Sequence, residues 1–451
     1  VRRLLIIGGS DAGVMAALRA RQLDAEVRVA LVLADRYPNF SICGLPFYVS
    51  REVEDWHALA HRTADEIRQQ RVETVLETIA TRIDPAAKEV VLRDRSEHER
   101  VEKYDTVVIA TGARSRTVGI RGMDLPDVYP LHTMEHSLRV RERLDAGGIA
   151  HAVVVGAGYI GLEMADAFAH RGLRVTIVSR PRTVMPTVDE PLGDVIRTEL
   201  EHHGVEVVTD VEVDEIVERG GGREVRGASG FRRRADLVLV GGGVEPNSNL
   251  ARAAGVATGL QGAIRVDRQM RTNIPDVLAA GDCVETWHRV LGKPSYLPLG
   301  TTAHKQGRIA GETAVGGGRE FQGSVGTQVV KVFSLAVART GVRDDEARTA
   351  GFDPLTVAST PWHHKVDYPG AQRLHVRVTG DRRTGRLLGA QIVGHWQAEV
   401  SKRIDIFATA LFHGMTVEDI NDLDLSYTPP MGAPWDAVQE AAQAWLSAVR
   451  T

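Results

Sequence analysis

The segment His151-Ala-Val-Val-Val-Gly156-Ala-Gly-Tyr-Ile-Gly161 runs from an apolar strand into three glycines spaced as G-x-G-x-x-G. Residues Leu162 to His170 then read as a helix, and Val175 to Val178 as a second strand. Each glycine has a physical task. The first allows the tight turn, the second lets backbone approach a pyrophosphate, and the third lets helix pack close on strand. The helix start offers free N–H groups to the anion. A dinucleotide is therefore expected against Gly156, Gly158, Tyr159, Ile160 and Gly161.

Towards the N-terminus the same plan recurs. Arg3-Leu-Leu-Ile-Ile7 enters Gly8-Gly-Ser-Asp-Ala-Gly13, an Ala-rich helix runs to Leu23, and an apolar run from Val27 to Leu33 ends near Asp35. Ser10 replaces the middle glycine. An acidic residue roughly 20 positions past the glycines suits ribose hydroxyls. Two such units imply two dinucleotides. At the end of the second unit's second strand stands Ser179-Arg180-Pro-Arg182 rather than a carboxylate. Hydroxyl and guanidinium groups would hold a 2′-phosphate that a carboxylate would repel, so NADPH is expected over NADH. Three further apolar runs end in small-residue or acidic turns: Tyr104 to Ala113, Ala235 to Gly243, and Ile274 to Asp282. They read as flavin-site pieces, with Asp282 placed to bond a ribityl hydroxyl.

A chain of 451 residues exceeds one ordinary core and implies several domains. Its 55 basic and 59 acidic side chains give a net charge of −4, which argues against a nucleic-acid partner. No apolar stretch is long enough to span a bilayer, and Val1 to Ile7 does not read as a signal peptide, so a cytoplasmic protein is expected. No metal site is expected. From Thr327 onward, strand-like runs (Thr327 to Phe333, Leu374 to Val378, Leu387 to Val393) combine with helical stretches (Glu399 to His413, Ala433 to Val449) into an α+β unit.

The two cysteines, Cys43 and Cys283, cannot form a disulfide framework. Cys43 precedes Gly44-Leu-Pro46, a turn into a helix, and a helix N-terminus would lower the thiol pKa. A lone cysteine alternates between thiolate and a mixed disulfide, sulfenate or persulfide. Cys283 reads as structural.

With these residues in view, the sequence resembles the pyridine nucleotide–disulfide oxidoreductases, and within them the single-cysteine branch of coenzyme A-disulfide reductases, NADH oxidases and peroxidases, and persulfide reductases. The motifs are Cys43-Gly-Leu-Pro46, Ala110-Thr-Gly-Ala113, Gly156 to Glu163, Ala279-Ala-Gly-Asp282, Lys331-Val-Phe333, Tyr368-Pro-Gly-Ala371, Gly389 to Gly394 and Leu423 to Pro430. The resemblance implies an α/β fold of two Rossmann-like domains plus a C-terminal α+β dimerisation domain. FAD would occupy 1–115 and 245–320, NAD(P)H 116–244, and the dimer would form through 321–451. Cofactor contacts are expected at Gly8, Ser10, Gly13, Asp35, Ser41, Ala110, Thr111, Gly112, Gly243 and Asp282, and at Glu163 on the nicotinamide side.

The implied activity is reduction of a low-molecular-weight disulfide or persulfide by NAD(P)H through FAD and Cys43, in a homodimer. Tyr48 stands where two-cysteine relatives have the second thiol, and Asp11 where family oxidases and peroxidases carry a histidine. Tyr427 and Tyr368 match tyrosines that serve the active site across the dimer, where a phenol would protonate a departing thiolate. Arg19 and Arg21 match arginines that bind coenzyme A phosphates in relatives, whereas a third is Gln22 here. The histidine of the His-Pro-Thr-x-x-Glu acid pair is replaced by Gly414, and the end at Thr451 leaves no expected rhodanese domain. An NAD(P)H oxidase or peroxidase, a ferredoxin or rubredoxin reductase, and a redox-sensing flavoprotein are the alternatives.

Overall fold

The computed structural model describes residues 1–116 and 119–450. Arg3–Ile7 is the central strand of a five-stranded parallel sheet, with Arg28–Val32 and Val72–Val75 on one side and Thr106–Ile109 and Val277–Ala279 on the other. Its last four residues are buried, as expected for a strand covered on both faces. His151–Val155 holds the same place in a second sheet, between Arg174–Val178 and Leu237–Val240, with Glu206–Val208 and Val128–Pro130 at the edges. Each sheet is accompanied by a three-stranded antiparallel layer, Thr78–Asp84 to Glu99–Lys103 in one case and Val213–Arg219 to Phe231–Ala235 in the other.

The chain crosses between these halves twice, at Ala113–Ser115 and Val244–Pro246, and the two crossings pair with each other antiparallel. The first half closes on itself only late. Its Asp11–Leu23 helix packs on Gly300–Ala314, where a Cβ at Gly307 would lie 2.2 Å from the Ala12 carbonyl oxygen. Glycine is the residue that lets these backbones approach.

The C-terminal part is a five-stranded antiparallel sheet ordered Gln328–Val332, Leu335–Gly341, Leu387–His395, His375–Asp381, Pro354–Ser359. The helices Val400–His413 and Ala437–Val449 cover it, burying Phe407 and Trp445. Two of its strands, Leu335–Gly341 and Pro354–Ser359, were not anticipated. The expected Ile274 to Asp282 strand shrinks to Val277–Ala279, because Pro275 lacks an N–H and Asp276 is left-handed at φ 60°. Among the described residues no helix is long and apolar enough to cross a membrane.

Candidate functional site

Both glycine loops deliver a helix whose first turn is uncapped. Ser10 and Gly158 are the N-cap residues, and neither supplies a side-chain hydrogen bond. The first-turn N–H groups are thus left for a ligand. A Cβ at Gly13 would stand 1.8 Å from the Gly8 carbonyl oxygen, and one at Gly161 1.9 Å from that of Gly156. These glycines hold helix against strand. Gly112, Gly158 and Gly243, by contrast, face space with nothing within 4 Å of a Cβ. Two pyrophosphates fit what the loops offer.

Carboxylates mark the first half. Asp35 lies just past Arg28–Val32, accepts the Tyr37 N–H at 2.8 Å, and is pushed up in pKa by burial. Asp282 follows Val277–Ala279, and burial with the nearby Asp11 charge raises it to about 7. Its half-buried carboxylate accepts no hydrogen bond from the described residues, which leaves it open to a ligand hydroxyl. Asp11 itself accepts from Asn39 Nδ2 at 3.0 Å and pairs with His304 Nε2 at 3.1 Å. Ala110 is buried. Thr111 donates its hydroxyl to the Asn247 carbonyl at 2.6 Å, so that side chain ties the two chain crossings together rather than reaching a cofactor. Ser41 is likewise committed in part, since its Oγ accepts the Gly44 N–H at 3.1 Å.

Cys43 sits in the one-turn 3₁₀ segment Ile42–Gly44, before the Leu45–Ser50 helix. The expected lowering of its pKa is overturned. Although the side chain is exposed on one side, the surrounding chain desolvates the thiol and pushes it up, and Glu163, Asp11 and Asp282 add to the rise. The helix is only six residues long, and the Gly44 N–H is already taken by Ser41. The same three carboxylates locate the sulfur between the two halves. Cys283 is fully buried, with its sulfur 3.5 Å from the Ile109 carbonyl oxygen.

On the second half, Tyr159 begins the Tyr159–His170 helix, and its hydroxyl accepts from Thr187 at 3.3 Å. Ile160 packs beside it on the core. Glu163, one turn on, is raised to about 8 by burial and by Asp166. Ser179 is buried at the strand end, while Arg180 reaches the exposed Glu212 across 3.6 Å. Sequence reasoning missed the clamp behind Cys43. Arg141 and Arg171 donate to the carbonyls of Tyr48 (2.5 Å) and Val49 (3.3 Å), and Asp145 joins the two guanidiniums. These residues are far apart in sequence and no motif announces them.

A family profile described as pyridine nucleotide-disulphide oxidoreductase matches residues 2–307, and its dimerisation domain matches 327–438. The chain belongs to that family. A CoA-dependent NAD(P)H sulfur oxidoreductase of Pyrococcus abyssi is 34% identical over 445 residues, covering 96% of both chains. A coenzyme A disulfide reductase of Staphylococcus haemolyticus is 28% identical, covering 97% of this chain and 98% of the relative. The solved NAD-dependent persulfide reductase from A. fulgidus superposes with a TM-score of 0.95 at 35% identity, over 99% of this chain and 83% of that one. This pyridine nucleotide-disulphide oxidoreductase is accordingly an FAD-dependent enzyme that uses NAD(P)H.

Within the oxidoreductase the remaining expected residues fare unequally. Tyr368 and Tyr427 are 40% and 45% exposed, and neither phenol has a hydrogen-bond partner among the described residues. They stand on the surface of the C-terminal unit, free to meet another subunit. Arg19 and Arg21 both make bonds within the protein. Arg19 forms a two-nitrogen pair with Glu312 at 2.7 and 3.2 Å. Arg21 donates to the carbonyls of Ala25 and Val27 at 2.7 and 2.8 Å. These bonds tether the first helix to Gly300–Ala314 and to the turn that follows it.

Proposed function

We propose that the enzyme reduces a low-molecular-weight disulfide or persulfide, of the coenzyme A disulfide type, with NADPH as donor. The observation that carries this reading is the position of Cys43. It has no thiol neighbour, and it feels the charges of Asp282 from one nucleotide half and Glu163 from the other. FAD supplies storage for an electron pair that arrives as hydride from the nicotinamide and leaves as two electrons. The names of the relatives, which act on coenzyme A disulfide or persulfide, point to the same substrates.

In this reading residues 1–115 and 245–320 hold FAD through Gly8, Gly13, Asp35, Asp282 and the turn at Gly112. Residues 116–244 hold NADPH, with Ser179 and Arg180 at the 2′-phosphate and Tyr159 and Glu163 lining the nicotinamide pocket. Residues 321–451 form a homodimer. Cys43 thiolate attacks one sulfur of the disulfide, the S–S bond breaks, and a thiolate leaves as the mixed disulfide forms. Tyr427 of the partner subunit protonates that thiolate, with Tyr368 beside it. Two electrons and a proton then restore the Cys43 thiolate and release the second thiol. The raised thiol makes proton removal part of the first step.

The test is the mass of the purified protein together with NADPH consumption on coenzyme A disulfide. A Cys43 adduct of coenzyme A mass and steady turnover are expected. Oxygen uptake forming hydrogen peroxide, with no stimulation by any disulfide or persulfide, would replace this reading with an oxidase.

A further inference from the structure

A cleft of about 320 Å³ opens where the first half meets the C-terminal unit, away from the glycine loops. Its wall carries Arg268, Arg289, Arg386 and His413, with Trp287 and Phe412 as aromatic faces, and no carboxylate lines it. Neutral groups hold two of the guanidiniums in place. Arg289 donates to the carbonyls of Phe412 (2.5 Å) and Gln322 (2.8 Å) and lies 3.9 Å over the Phe412 ring. Arg268 donates to the Phe321 carbonyl at 3.0 Å, and its only acidic partner is the half-exposed Glu320 at 3.4 Å. The guanidinium of Arg386 makes no hydrogen bond or ion pair among the described residues. It stands 5.9 Å from the Phe352 ring. Carbonyl partners orient an arginine without cancelling its charge, so positive charge converges on a concave, partly aromatic surface. Arg289 also neutralises the carbonyl end of the Val400–His413 helix, which would otherwise oppose an anion there.

We propose that this cleft binds a small phosphate-bearing anion, with Arg386 and Arg268 gripping the oxyanion and Trp287 beside it. The site is separate from both dinucleotide loops and does not depend on the identity of the thiol substrate.

Pyrophosphate titrated into the FAD holoenzyme saturated with NADP⁺ tests it, with tryptophan fluorescence as the readout. A saturable change is expected, lost in Trp287→Phe and weakened about tenfold or more in Arg386→Gln. Arg386 makes no bond that the fold needs, so an unchanged melting temperature and flavin spectrum are expected for that variant. Rising salt should weaken binding. Equal affinity in Arg386→Gln, a signal that survives Trp287→Phe, or no saturable change in the native enzyme would each overturn the proposal.

Discussion

In the first glycine loop, Gly8 and Gly13 bring a helix onto its strand, and in the second Gly156 and Gly161 do the same at nearly identical approach distances. The groups around the two loops differ. Half-buried acids, Asp35 and Asp282, flank the first, whereas the strand end of the second carries a buried serine and exposed arginines. Partly desolvated acceptors suit a ligand that stays, since bound hydroxyls replace the water they have lost. Exposed arginines held by loose pairs suit a ligand that comes and goes. In the proposed reading one backbone plan thus serves a resident cofactor and an exchanging one, with Cys43 where the two halves meet.

The most severe way to separate the halves is Cys43→Ser. Disulfide reduction should fall by roughly 10³-fold or more, because a hydroxyl cannot form the mixed disulfide. Bleaching of the flavin by NADPH in stopped flow should persist, since the proposed reading has hydride enter through the second half. Undiminished disulfide turnover would show that electrons leave by another route.

Next in size is the pH dependence. Because burial and three carboxylates raise the Cys43 thiol, the thiolate is scarce at neutral pH. Single-turnover attack on a disulfide should therefore accelerate as pH rises, by up to about tenfold per unit. The slope should flatten between pH 7 and 8, where Asp282 (about 7) and Glu163 (about 8) ionise and oppose the thiolate. A rate independent of pH from 6 to 9 would mean that the thiol is already ionised in the holoenzyme. That sign was not legible in the sequence. The turn and helix after Cys43 are local and were anticipated, but the charges that act on the sulfur come from Asp11, Glu163 and Asp282 on distant segments. The Arg19 pair with Glu312 was hidden in the same way, because its partner lies 293 residues further along the chain.

The glycines divide structure from binding within each loop. Gly13→Ala and Gly161→Ala should each cost about 1–3 kcal/mol in thermal unfolding, as the added methyl meets a backbone carbonyl. Gly158→Ala has open space and should leave stability unchanged while weakening nicotinamide binding. Equal melting losses at Gly158 and Gly161 would contradict the division. These roles were legible because a glycine pattern is a local signature of backbone approach. The two missed strands of the C-terminal sheet were not, since Leu335–Gly341 is defined by pairing with Leu387–His395 rather than by its own apolar pattern.

The smallest effect tests the edge of the second loop. Arg180 is 69% exposed, and its pair with Glu212 at 3.6 Å is weak enough to open when a 2′-phosphate arrives. A solvated charge-assisted contact contributes little, so Arg180→Ala should lower kcat/KM for NADPH by about threefold to tenfold and leave NADH unchanged. Ser179→Asp should act in the opposite sense. Its carboxylate would repel the phosphate and accept the ribose hydroxyls, moving preference towards NADH. Parallel losses with both dinucleotides in Arg180→Ala would mean that the arginine shapes the loop instead of reading the phosphate. The contrast between the halves would then rest on the acids of the first alone.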